Sequence, residues 1–103
     1  MVYFAQYGVA WTLRGVKLVD RATGQYKATP TLASGDVKIE KDGGAAANLA
    51  TLPTVEPAAG TSISISFSAA EMQCEQAVVT LIDAAGAEWN DDTIHIFTVG
   101  NTL

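Results

Sequence analysis

Residues 61–67 read Thr-Ser-Ile-Ser-Ile-Ser-Phe, a strict alternation of small hydroxyl and large apolar side chains. Successive strand side chains point to opposite faces, so Ile63, Ile65 and Phe67 face a core while Ser62, Ser64 and Ser66 face away. A helix would scatter the same residues around its axis. The chain is therefore built from sheet, at least here, and weaker copies of the pattern recur along it.

From about Ala10 to Val19, Trp11 and Leu13 alternate with Thr12 and Arg14, Gly15 interrupts, and Val16 and Leu18 resume in the opposite phase. A one-residue slip at glycine marks a β-bulge, which keeps Trp11, Leu13, Val16 and Leu18 on the inner face of one bent strand. Asp20-Arg21-Ala22-Thr23-Gly24 then reads as a turn. Val37 and Ile39 alternate with Lys38 and Glu40, and Lys41-Asp42-Gly43-Gly44 predicts a hairpin returning over Ala45 to Leu49. Pro53 and Pro57 punctuate a loop.

Ser68-Ala69-Ala70-Glu71 fits a capping box and predicts one or two helical turns from Ser68 to about Glu75. Ala77 to Ile82 is apolar on both faces, as a central, doubly covered strand would be. Asp83-Ala84-Ala85-Gly86 reads as a turn and Thr93 to Val99 as the last strand. There Ile94 and Ile96 share one face, and His95, Phe97 and Val99 the other. Residues 1–9 are an additional strand or an attachment arm, because Tyr3, Phe4, Tyr7 and Val9 are too apolar to dangle in water.

These signals predict an all-β chain, an immunoglobulin-like antiparallel β-sandwich of about seven strands with one short helical turn. Trp11, Leu13, Val37, Ile39, Ile63, Ile65, Phe67, Val79, Leu81, Ile94 and Ile96 are its expected core. The 103 residues suffice for a single domain over 1–103. Charged residues make up 17% of the chain, under the roughly 25% usual for soluble domains, which suits equally a surface partly covered by a partner and an ordinary Ala-rich domain.

The formal net charge is −5, and the six cations are scattered from Arg14 to Lys41. Nucleic acid is bound by clustered cations, so no such partner is expected. No apolar run approaches the roughly 20 residues of a membrane-spanning helix, and no membrane insertion is expected. The opening Met-Val-Tyr-Phe-Ala-Gln-Tyr has no basic n-region, so a signal peptide is not expected and folding in a cytoplasm is. A single cysteine excludes an internal disulfide.

Chemistry has little to work with. Cys74 and His95 are the only members of their types, which is a thin basis for a nucleophile–base pair. Asp83, Glu88, Asp91 and Asp92 cluster near the last turn without the spacing of a calcium loop, and no metal or cofactor is expected. Trp89 either plugs the end of a sandwich core or offers a stacking platform for sugar. In the second case Trp89, Asn90, Asp91 and Asp92 would form a glycan-binding site.

Several stretches resemble a family of small tailed-phage proteins. They are Lys41-Asp42-Gly43-Gly44-Ala45-Ala46-Ala47-Asn48 before Pro53, the Ile63/Ile65/Phe67 strand, and Ser68-Ala69-Ala70-Glu71-Met72. Val78 to Ile82, Asp83-Ala84-Ala85-Gly86, Trp89, Asp91 and the close near Gly100-Asn101 continue the likeness, which covers roughly residues 35–101. The opening strand and its turn over Val19 to Gly24 match more loosely. Residues 53–60 depart from the pattern, since family members usually carry an aromatic there.

The resemblance implies a non-enzymatic virion protein with an immunoglobulin-like fold, present in many copies. It would be a tail, baseplate, fibre or head-decoration component assembled in the host cytoplasm. Its expected partners are tail or capsid subunits and further copies of itself. Tyr3, Phe4, Tyr7 and Phe97 are the expected partner-binding residues. The alternative is a carbohydrate-binding module for host-surface glycan at Trp89, Asn90, Asp91 and Asp92.

Overall fold

In a computed structural model that describes residues 2–83, 86 and 88–100, eight strands form two sheets. They are β1 (Val2–Gln6), β2 (Trp11–Lys17), β3 (Val37–Lys41), β4 (Ala47–Asn48), β5 (Thr54–Val55), β6 (Ser62–Phe67), β7 (Gln76–Leu81) and β8 (Asp92–Val99). One sheet has the order β1-β8-β7-β3-β4 and the other β2-β6-β5. Every pairing is antiparallel except β1 with β8, which is parallel. The chain is an all-β sandwich.

Period-two burial places the core between the sheets. Ile63, Ile65 and Phe67 of β6 meet Ala77, Val79 and Leu81 of β7, Ile94 and Ile96 of β8, and Val37 and Ile39 of β3. All of the expected core residues are buried except Trp11, which is half-buried and stacks on Phe67 with ring centroids 5.5 Å apart. Its indole N–H donates to the Met72 sulfur at 2.9 Å. Ala5, Val16, Leu18, Met72, Cys74 and Trp89 complete the core.

The β-bulge lies where the glycine marked it. Register along β2 shifts between Leu13 and Val16. Gly15 takes a φ of +78°, a conformation that side chains resist. Arg14 of β2 and Glu56, the residue after β5, form an ion pair of 2.8 Å. Ser64 of β6, opposite Thr54 of β5, is buried although it faces away from the core.

Four sequence expectations need correction. Residues 53–60 are not all loop, since β5 pairs with β6 through Thr54 and Val55. The hairpin's return arm is only Ala47 and Asn48. Ser68 to Glu75 forms no helix; it is a tight turn closed by Met72 N–H to the Ser68 carbonyl at 3.2 Å. Both capping-box bonds are nonetheless made, Glu71 N–H to Ser68 Oγ at 3.2 Å and Ser68 N–H to Glu71 Oε1 at 2.8 Å. Finally, β7 is central in its sheet but covered on one face only, for Val78 and Thr80 are half-exposed. The expected turn from Asp83 to Gly86 and the close at Asn101 lie partly outside the described residues.

Candidate functional site

The outer face of the five-stranded sheet is divided by chemistry. Paired residues share a face, so the register aligns Val2 with His95 and Val78, and Phe4 with Phe97 and Gln76. Gln6 and Val99 form the next row. On the β1 and β8 side this face carries Val2, Phe4, Phe97 and Val99, with Phe4 70% exposed and Val2 58%. The Phe4 and Phe97 rings pack with centroids 6.1 Å apart, tilted by 34°. On the β3 side it carries Lys38 and Glu40 instead.

Val2, Phe4, Phe97 and Val99 are exposed together there, with His95 and Gln6 as the polar members of their rows, and such a grouping is a candidate contact surface. The stripe sits on the edge strand and its neighbour, where nothing among the described residues covers it.

The four expected partner-binding residues are separated by the fold. Phe4 and Phe97 come together on the outer face. Tyr3 lies opposite Ile96 on the inner face and packs against the core. Tyr7 follows the strand, exposed, with its N–H on the Val99 carbonyl at 3.0 Å. The sequence reading did not single out Val2 and Val99 for the site. Their signal was present, since period two puts Val99 with Phe97 and Val2 with Phe4.

The segment of residues 2–9, read as arm or strand, enters the domain's own sheet as β1. Its turn is fastened by Gly8 N–H to the Met72 carbonyl at 3.0 Å and Val9 N–H to the Gln6 carbonyl at 3.3 Å.

The glycan reading is corrected. Trp89 has no exposed surface, so its ring offers no platform for a sugar. It is held as a core plug by a bridge to Asp20 and by Arg21, whose Nη2 donates to the Trp89 carbonyl at 2.9 Å. Asp91 pairs with the same guanidinium at 3.3 Å. Asp92 Oδ1 accepts the Thr93 N–H, and Asn90 N–H binds the Val19 carbonyl. These polar residues fasten the end of the sandwich.

Cys74 and His95 do not meet. The thiol is in the core, where burial first and the Asp42 charge second push its pKa up from 9.0, while His95 lies on the outer face. A thiol so placed is a poor nucleophile. The depression beneath the hairpin, about 360 Å³, is lined by Ile39, Lys41, Ala47, Asn48 and Glu71 and sets no base against a nucleophile. Among the described residues no three His, Cys, Asp or Glu side chains gather as metal ligands.

No family model, curated protein or solved structure matches the chain.

Proposed function

We propose that this chain is a non-enzymatic structural accessory protein of a tailed-phage virion, present in many copies and attached to the tail or capsid. The observation that carries the proposal is the uncharged stripe of Val2, Phe4, Phe97 and Val99, a ready-made contact face on a small rigid sandwich. A module of this kind docks by its apolar stripe and leaves its polar loops in solvent.

Two further features support the reading. The order β2-β6-β5 against β8-β7-β3-β4 corresponds to strands B-E-D against G-F-C-C′ of an immunoglobulin-like sandwich. The stretch resembling phage proteins has a structural use. Asp42 sits at a φ of +51° and Gly43 at +76°, and the Asp42 carboxylate caps the start of β7. Such a motif preserves a fold that presents surfaces and carries no chemistry of its own.

The test is quantitative mass spectrometry of purified virions from the encoding phage, with a Phe4→Asp, Phe97→Asp double variant supplied in parallel. The native chain is expected in many copies per particle and the variant in at least tenfold fewer. Virions without the native chain refute the proposal.

A further inference from the structure

The open edge of β1 is a separate feature from its apolar side-chain face. The Tyr7 N–H bonds to the Val99 carbonyl of β8. Backbone groups alternate sides along a strand, so Tyr3, Ala5 and Tyr7 address β8, and Val2, Phe4 and Gln6 point their N–H and C=O groups away from it. The Gln6 carbonyl, accepting from Val9, lies on that outer side as this alternation requires. Strand β1 ends the sheet order, so these groups meet no further strand among the described residues.

Edges of this kind are normally blunted by charge, proline, a bulge or brevity. The other edges of the sandwich follow that rule. Strands β4 and β5 have two residues each, and β2 carries the Gly15 bulge beside the charge of Arg14. The five residues of β1, Val-Tyr-Phe-Ala-Gln, have none of these protections.

We propose that two copies of the chain join edge to edge through β1, antiparallel about a two-fold axis at Phe4. The register is set by the strand itself. Phe4 N–H and C=O exchange bonds with the same groups of the second copy, and each Gln6 N–H meets the other copy's Val2 carbonyl. On the outer face the Phe4–Phe97 pair of one copy continues into the Phe4–Phe97 pair of the other, a row of four rings. The two five-stranded sheets become one of ten.

The unprotected edge and its symmetric register select a second copy as the occupant, and charge permits it. Two chains of net charge −5 bring no like charges together at a seam that is itself uncharged. No residue of β1 is charged, and Lys38 and Glu40 of the same face stand on β3, three strands away. Five residues a side is far below the roughly 20–30 of a standard interface, so the free pair is weak and is reinforced where many copies are held together. The inference rests on the proposed function only in taking β1 as a contact element.

Sedimentation velocity of the full chain from about 10 μM to about 1 mM, the range of weak association, tests it. The mass is expected to move from 10.8 kDa toward twice that value. Phe4→Lys and Phe4→Glu each place like charges across the axis and are expected to weaken association at least tenfold. An equimolar mixture of the two variants is expected to restore it. Phe4 is exposed, so both variants keep the fold, which far-ultraviolet circular dichroism verifies. A native chain that stays monomeric, or a mixture that does not recover, overturns the pairing. A monomeric chain found in virions removes the pairing alone, whereas a dimer absent from virions removes the proposed function alone.

Discussion

Asp42 is the residue through which the hairpin motif can be measured. Its Oδ1 accepts the Glu75 and Gln76 N–H groups at 3.0 Å each, and its own N–H donates to the Gln76 carbonyl at 2.9 Å. Its φ of +51° is tolerated by Asn and Asp and suits Gly, but costs Ala about 1–2 kcal/mol. A hydrogen bond to a charged group contributes ~1.5–3 kcal/mol when shielded. Here the site is open and water replaces part of the loss, so the two bonds together are worth about 1–2 kcal/mol.

Three substitutions separate the effects. Asp42→Asn keeps an acceptor and the backbone conformation and should cost about 0.5 kcal/mol. Asp42→Gly keeps only the conformation and should cost about 1–2 kcal/mol. Asp42→Ala loses both and should cost about 2–4 kcal/mol, or roughly 8–30 °C in melting temperature for a domain of this size. Urea denaturation followed by tryptophan fluorescence gives the free energies. Hydrogen exchange should show lost protection at the Glu75 and Gln76 amides in the Gly and Ala variants. Equal losses for Gly and Asn would refute the capping role, and equal losses for Gly and Ala would refute the conformational cost.

Other outcomes follow from the packing. Ile65 is fully buried at the centre of β6, so Ile65→Ala should cost about 2–5 kcal/mol by chemical denaturation. Deleting residues 2–9 strips β8 of its parallel partner and uncovers Ile96, so the truncated chain should lose cooperative unfolding; an unchanged midpoint would show that β1 is dispensable. The Cys74 thiol should react slowly with alkylating reagents at pH 8 in the folded chain and quickly in urea. Because its folded pKa is raised, its contribution to stability is full below pH 9.0 and is lost as pH rises beyond that value, which denaturation midpoints at pH 8 and 10 should register.

How far the sequence disclosed this fold depended on whether local period alone decided a residue's side. In β6, Ser-Ile-Ser-Ile-Ser-Phe has one sensible phase, and the slip at Gly15 told where β2 changes phase. Strand β5 was hidden because two residues between Pro53 and Pro57 carry no period. The capping box at Ser68 and Glu71 was legible as chemistry, yet the chain leaves the turn at once for β7, so no helix follows.

Strand β1 shows why the site was only half legible. Val2, Tyr3, Phe4 and Ala5 are apolar on both faces, so alternation cannot say which face is inner. Only the parallel register with β8 decides, setting Tyr3 against Ile96 within and Phe4 against Phe97 without. Trp89 is the converse case. Its neighbours Asn90, Asp91 and Asp92 resemble a sugar site in sequence, and only the bridge to Asp20, 69 positions earlier, turns the indole inward.

The same tertiary contacts engage the cations. Arg14, Arg21 and Lys27 form ion pairs, Lys17 bonds to Thr61 and Ser62, and Lys41 bonds to the Ala70 carbonyl. These cations thus fasten loops and edges, and the outer face at β1 and β8 carries Val2, Phe4, Phe97 and Val99 with His95 and Gln6 among them. In the proposed pairing, recognition rests on apolar burial and backbone hydrogen bonds, which discriminate by shape and register. On the proposed function, a partner for this face has to supply a complementary strand edge or apolar surface.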